Sequence, residues 1–270
     1  MLRKLEYFND PLFKFDPIAH SYKYYDNFGK PIQVFEPVSS FISQFKKPFD
    51  SENISKFVAR KQNKTQRQIL DEWAATAKEG TDLGSKVHEW IEDYYNGNNP
   101  PLPESKTEEE DKFFSELGIG DTFDLNGRAR ERIESFLKIH KERLYKLDAK
   151  KQEFRIFSRK WGIAGTLDVL FHLNTKFYVG DWKTNKKFTD DDHKDGTRQK
   201  LLYPFDDLWD NNLTGYSLQI STYRLMLQEV GFETDGGFLV WLGPNESKLY
   251  KTLDLRDRLR EWLDKNNLQK

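Results

Sequence analysis

The sequence predicts a mixed α/β protein of the α+β type, and three observations carry that expectation. Short runs rich in Val, Ile, Phe and Tyr, bounded by Asn, Gly or Pro, occur at 12–36, 151–183 and 236–253, which is the pattern of strands. Apolar residues recur at helical spacing in 80–97, 127–147 and 217–230, each long enough for several turns. Finally, 37% hydrophobic and 15% aromatic residues in a chain of 270 can build a real core despite 32% charge.

In chain order, 12–15, 20–25 and 32–35 read as short strands, with a turn at Asn27, Phe28 and Gly29. After Pro37, Ser39 is expected to cap a helix over SSFISQF. Asp50 and Ser51 open a helix near 52–62, and Thr65 opens another to about Ala77. In GTDLGSKVHEWIEDYYNG, Leu83, Val87, Trp90, Ile91 and Tyr94 share a helical stripe and Gly97 supplies the stop. A proline-rich loop at 98–105 leads to a helix near 106–117 and a stronger one at 127–147. Strand 151–158 precedes two more, 163–173 and 176–183, joined by Asn174 and Thr175. The long polar segment 184–213 is of the kind that is functional or mobile when it occurs inside a compact domain. A largely buried helix from Ser217 to Val230 follows, closed by Gly231. Strands at 236–242 and 247–253 and an amphipathic helix over 255–266 come last.

Composition narrows the chemistry. Cysteine is absent, so disulfides and thiolate metal sites are excluded and any metal must be held by oxygen or imidazole. No run approaches the ~18 apolar residues of a membrane span, and MLRKLEYFND lacks a signal-peptide core. The expectation is a cytoplasmic protein with no membrane partner. The net charge of −1 argues against a generally basic coat for nucleic acid but leaves room for a local basic channel. Charge is segregated: 46–67 carries seven basic and two acidic residues, 128–151 nine and four, and 104–124 two and eight.

The chemistry-bearing stretch is Trp161–Lys183, WGIAGTLDVLFHLNTKFYVGDWK. Asp168 lies on its first strand and Asp181 and Lys183 on its second. Residues two apart share a strand face, so Asp181 and Lys183 project together. Charged groups are rarely buried without a partner or a metal. The trio is therefore either an ion-pair cluster or a metal site with its own lysine. The acid-x-lysine pattern is cheap, for the chain has six, beginning at Glu104, Glu110, Asp148, Asp181, Asp192 and Glu246. Only Asp181–Lys183 ends an apolar strand that follows another bearing its own aspartate. His88 adjoins the apolar stripe of its helix, where a histidine is more often structural than a ligand. The run Asp190-Asp191-Asp192 reads as a solvated loop, since nothing orients it.

The ordered set of a helix with His88, GTLD at 165–168, DWKT at 181–184 and LQISTY at 218–223 resembles the PD-(D/E)XK nuclease superfamily. More narrowly, it is similar to the RecB-like group that includes phage exonucleases. The match spans roughly residues 80–243, with Gln219 and Tyr223 giving the spacing Q-x-x-x-Y.

The resemblance implies a restriction-endonuclease-like core, a mixed central sheet flanked by helices, with the site on its hairpin. It implies a single domain over 1–270, with an N-terminal β/helical extension over 1–64, a core over 65–253 and a C-terminal helix over 254–270. Asp168 and Asp181 become metal ligands, with the Trp182 carbonyl and His88 completing the shell around Mg²⁺ or Mn²⁺. Lys183 becomes the catalytic lysine, and Gln219 and Tyr223 contact nucleic acid or brace it, although Tyr223 also suits a core position. Glu153 stands where the group often has an acid, but it reads equally as a surface-strand glutamate and is left out of the set. The implied activity is a metal-dependent DNA exonuclease acting in phage or cellular recombination, replication or repair, on single-stranded or end-containing double-stranded DNA. A structure-specific endonuclease and a catalytically inactive binding module are the alternatives. The basic runs at 46–67 and 128–151, with Arg155, Arg159, Lys160, Lys186 and Lys187, are the candidate DNA contacts. Recombination or replication proteins are candidate partners, and the sequence sets no oligomeric state.

Overall fold

The computed structural model describes residues 2–116, 124–189 and 199–267. Its centre is an eight-stranded mixed sheet of β1 (Phe13–Asp16), β2 (Ser21–Tyr25), β3 (Pro31–Pro37), β4 (Asp148–Ser158), β5 (Ile163–Leu173), β6 (Lys176–Lys183), β7 (Gly236–Gly243) and β8 (Glu246–Lys251). The helices are α1 (Val38–Ser43), α2 (Ser51–Gln62), α3 (Gln66–Tyr95), α4 (Glu108–Glu116), α5 (Leu125–Ile139), α6 (Asn212–Glu229) and α7 (Arg256–Asn267). The predicted mixed α/β class, with a mixed sheet flanked by helices, is what the chain adopts.

The sheet path runs β1-β2-β3-β5-β6-β7-β8, with β4 antiparallel along the other edge of β5. One edge of β5 is therefore shared by two strands. β3 joins it in parallel at Ile163 and Ala164, and β6 joins it antiparallel from Val169 to Leu173. Between those contacts, Gly165–Asp168 have no strand partner on that edge among the described residues. Beyond Gly180, β7 is the one strand paired with β6 among the described residues. The sheet thus forks, and Asp168, Asp181 and Lys183 all stand at the fork.

Two apolar layers hold the sheet. On one side Leu83, Val87, Trp90 and Ile91 of α3 and Ile133 and Phe136 of α5 pack on Val169, Phe171 and Trp182. On the other, Leu218, Ile220 and Leu225 of α6 and Leu259 of α7 pack on Leu167, Leu170 and Val179. Each fully buried side chain of this size contributes about 1.5–3 kcal/mol. Helix α6 is buried nearly all round, and its buried Ser217, Ser221, Thr222 and Arg224 side chains are hydrogen-bonded.

Several local expectations shift. Ser39 is not the cap of α1, because Pro37 holds that position and no side chain caps it. Residues 66–95 form one helix rather than two. A capping box between Thr65 and Gln68 starts it, and apolar packing against α5 outweighs the ~1 kcal/mol cost of Gly80 in its interior. The helix expected over 127–147 ends at Ile139, and the chain widens to a π turn over His140–Leu144. Residues Leu2–Asn9 form a 3-10 helix that periodicity did not reveal. Helix α6 begins five residues before Ser217, capped by the Asn211 side chain accepting from the Thr214 N–H at 2.8 Å. The Asp190-Asp191-Asp192 loop lies outside the described residues. Among the described residues no helix is long and apolar enough to cross a membrane.

Candidate active site

At the fork the carboxylate of Asp168 does what a missing strand would have done. Its Oδ2 accepts the Trp182 backbone N–H at 2.8 Å, satisfying a donor that the parting of β5 and β6 left open. One residue before Trp182, Asp181 is 1% exposed. Its Oδ2 lies 2.6 Å from Lys183 Nζ, yet neither carboxylate oxygen receives an aligned hydrogen bond from the protein. Burial, together with the charge of Asp168, pushes the Asp181 carboxyl above its ordinary range. Burial acts to lower the Lys183 pKa, but Asp181 and Asp168 outweigh it and hold the ammonium protonated. That ammonium also sits 4.5 Å above the Tyr216 ring, a cation–π contact that leaves its position well defined.

His88 enters from α3. Its Nε2 lies 3.0 Å from the Trp182 carbonyl, and a carbonyl can only accept, so Nε2 carries a proton. Nδ1 faces Asp168 Oδ2 at 3.5 Å and Glu153 Oε1 at 3.6 Å. Burial pulls the imidazole pKa down, but the Asp168 charge and the Glu153 contact overcome it and hold the pKa at about 9. One ligand atom each from His88, Glu153 and Asp168 lies within 4.8 Å of the other two.

The structure thus brings together His88, Asp168, Asp181, Trp182 and Lys183. Gln219 and Tyr223 are a pair of their own: Gln219 Nε2 donates to Tyr223 Oη at 3.1 Å. Tyr223 is buried and packs over Gly165, where an added Cβ would fall 2.8 Å from its ring. Among the described residues no hydrogen bond or ion pair links either of them to Lys183. Arg128, Arg132 and Lys186 line the cavity of about 700 Å³ that also holds His88, Lys183 and Tyr216. Arg155 borders a neighbouring hollow beside His88 and Glu153. By contrast Arg159 stacks over Tyr24 and Lys160 pairs with Asp264.

A sequence model of the PD-(D/E)XK nuclease superfamily matches residues 55–267. The chain belongs to that superfamily. No curated protein sequence matches it. Among solved structures it is similar to one named "Putative exonuclease" from Eubacterium rectale, at 12% identity and a TM-score of 0.40, covering 69% of this chain. The chain spans 64% of that neighbour's length, just under two thirds. It is also similar to SSO0001, at 16% identity and a TM-score of 0.29, covering 70% of this chain and 84% of the other.

Nucleases of this superfamily act on nucleic acid and use divalent metal ions, and the residues at the fork fit such an ion. The donor set is oxygen plus one imidazole, which suits hard cations such as Mg²⁺ and the slightly softer Mn²⁺. Asp181 supplies two buried oxygens with no aligned donor, a costly arrangement in a protein unless something else fills them.

Glu153, weighed in the sequence and left out of the expected set, reaches the site, and Tyr216 escaped the sequence reading. Glu153 lies opposite Asp168, because the β4–β5 hairpin pairs Ser158 with Ile163 and continues in register through Gln152–Val169 and Phe154–Leu167. Counting back from the tight turn at 159–162 would have set it opposite Asp168 rather than on the surface. Its backbone has φ +42°, a strained conformation for glutamate worth ~1–3 kcal/mol, and its carboxylate reaches His88. Tyr216 stands one turn before Gln219 on α6, and only the observed approach of Lys183 distinguishes it from a core tyrosine.

Proposed function

We propose that this chain is a divalent-metal-dependent deoxyribonuclease that hydrolyses phosphodiester bonds as an exonuclease in recombination, replication or repair. The observation that carries the reading is Asp181, a buried carboxylate with unfilled lone pairs beside a fixed ammonium at the open fork of the sheet. A structural ion pair buried this deeply is normally completed by further hydrogen bonds, and this one is not.

Asp168, Asp181 and Glu153, with His88 and the Trp182 carbonyl, are the groups that would hold Mg²⁺ or Mn²⁺. When bound, the cation supplies Lewis-acid stabilisation of charge on the phosphoryl oxygens. The protein's own part is positional and electrostatic. Lys183 keeps its proton, so it donates to a phosphoryl oxygen as negative charge grows rather than acting as a base, a contribution of about 10²–10³-fold for one such donor. Asp181 and the Tyr216 ring fix where that donor points. His88 must give up the Nδ1 proton to ligate, so cation binding and its protonation compete. Tyr223, held by the Gln219 amide, braces the fork by packing over Gly165, the residue that lets the helix approach the strand. The expected products are 5′-phosphate and 3′-hydroxyl ends.

End-labelled single-stranded, linear double-stranded and circular DNA, incubated with Mg²⁺ or Mn²⁺, tests the reading. Wild type should release label from linear DNA and spare circles, with Mn²⁺ at least as effective as Mg²⁺, and Lys183→Ala should be inert. Cleavage surviving in Lys183→Ala would overturn the mechanism, and cleavage of circles would make the enzyme an endonuclease.

A further inference from the structure

Beside Lys183 the cavity wall carries a second fixed cation that the chemistry above does not use. Arg132, on the second turn of α5, is 4% exposed, and its Nε and Nη1 groups have no hydrogen-bond acceptor. The nearest carboxylate, Glu131 Oε2, is 3.6 Å from Nη1 and belongs to a half-exposed rim side chain. That contact is too long for a hydrogen bond. Burial pulls the pKa of this guanidinium down, yet a guanidinium stays charged in proteins. The fold therefore keeps an under-solvated charge where an apolar residue of the same shape would cost nothing.

We propose that Arg132 anchors a phosphate-binding subsite that holds a non-scissile phosphate of the strand being cut. The inference rests on the nuclease reading and adds a second point of attachment to it. Both Arg132 and Lys183 line the same cavity of about 700 Å³, within the ~300–1,000 Å³ of small-ligand sites and so suited to a nucleotide or two rather than a duplex. A planar fork with two buried, unpartnered N–H groups beside the cavity has the geometry to match two oxygens of a phosphate, which a lysine cannot do. Arg128, one turn earlier on the same cavity wall, adds positive potential, and Lys186 does so from the loop after β6. A phosphate held at Arg132 would fix the strand relative to Lys183, which is how an enzyme converts binding into orientation. Two sources share this chemistry, a terminal 5′-phosphate and an internal phosphodiester.

The test compares wild type, Arg132→Met and Arg132→Lys as full-length proteins. Thermal melting, binding of labelled single strands in EDTA and steady-state kinetics in Mn²⁺ are measured for each. Strands are supplied with 5′-phosphate or 5′-hydroxyl ends. Arg132→Met should melt at or above the wild-type temperature, bind about 10- to 100-fold more weakly, and lose about one unit of the logarithmic salt slope. Its KM should rise more than its kcat falls. Arg132→Lys, which keeps the charge but not the fork, should fall between the two, and it decides by the same readouts if the methionine variant does not fold. If Arg132→Met erases a preference for 5′-phosphate, the occupant is the terminal phosphate. If it weakens both strands equally, the occupant is an internal one. Lower melting with unchanged binding and KM overturns the subsite and makes Arg132 a structural residue. A wild type with no metal-dependent cleavage overturns the nuclease reading instead, and the two failures are distinct.

Discussion

Arg132 and Arg224 are buried to nearly the same degree, 4% and 3% exposed, and their surroundings are opposite. Arg224 on α6 donates from Nε to Thr234 Oγ1 at 2.9 Å and from Nη2 to the Thr234 carbonyl at 3.0 Å, and its Nη1 lies 3.1 Å from Asp254. It staples α6 to the loop before β7 and to the segment before α7. Arg132 has no such set. A buried cation with its donors filled is architecture, whereas one beside a cavity with buried donors unpartnered costs stability, which is what the proposed phosphate would offset. The carboxylates divide in a similar way. Asp168 accepts a backbone N–H, while Asp181, equally central, has the Lys183 ammonium at 2.6 Å from Oδ2 and, among the described residues, no aligned hydrogen bond to either oxygen.

The largest effect should come from Asp181→Asn, which keeps the shape and removes the buried charge. Activity should drop by at least about 10²-fold, while metal-free melting stays close to wild type. Wild type should gain stability from Mn²⁺, about 2.7 kcal/mol at a hundredfold excess over Kd, and the variant should not. If the variant instead unfolds without metal and Mn²⁺ leaves wild-type melting unmoved, the trio is a salt-bridge cluster and the contrast with Arg224 dissolves.

Arg224→Met should give the reverse signature. It leaves Thr234 without its donors and Asp254 without one of its cations, at a cost of roughly 2–5 kcal/mol. Turnover per folded molecule should be unchanged. Urea denaturation alongside the cleavage assay separates the two quantities, and a loss of turnover without a loss of stability would break the architectural assignment.

A smaller effect separates two glycines near the site. An alanine Cβ at Gly165 would lie 2.8 Å from the Tyr223 ring and 3.2 Å from Val38 Cγ2, so Gly165→Ala should cost about 1–3 kcal/mol by overpacking. At Gly80, inside α3, the same methyl meets nothing within 4 Å, and Gly80→Ala should stabilise by up to about 1 kcal/mol. Melting temperatures of the two variants, moving in opposite directions, check the pair.

What could be read in the sequence follows from how local the cause was. The β5–β6 hairpin, with Asp168, Asp181 and Lys183, was visible because strand alternation and an apolar setting are local properties. His88 was visible only by its place in an ordered set of motifs. Glu153 required the register of β4 against β5, and Tyr216 required the direction of the Lys183 side chain. Arg132 could not be separated from its basic run, because solvated and buried arginines at helical spacing look alike until α5 is packed. The continuity of α3 through Gly80 is a tertiary result, since contacts with α2, α5 and β4 repay its propensity cost.

The smallest prediction turns the same contrast into pH dependence. Asp254 is held down at about 2 by hydrogen bonds from Arg256, against some burial, with the Arg224 charge assisting. Its contribution to stability is therefore fully present above the unfolded carboxyl pKa near ~3.9 and is lost as pH falls through about 2. Asp181 is raised, so without metal its sign is opposite: protonation at falling pH relieves a buried charge and adds stability until the unfolded carboxyl also titrates. Urea midpoints in EDTA, taken downward from pH 7, should for this pair first favour the folded state and then disfavour it. Asp181→Asn should remove the first trend and Asp254→Asn the second, the latter modestly because Asp254 is 48% exposed and screened by water. If both variants lose the same limb, the two carboxylates do not sit in opposite environments and the distinction between filled and open charges fails.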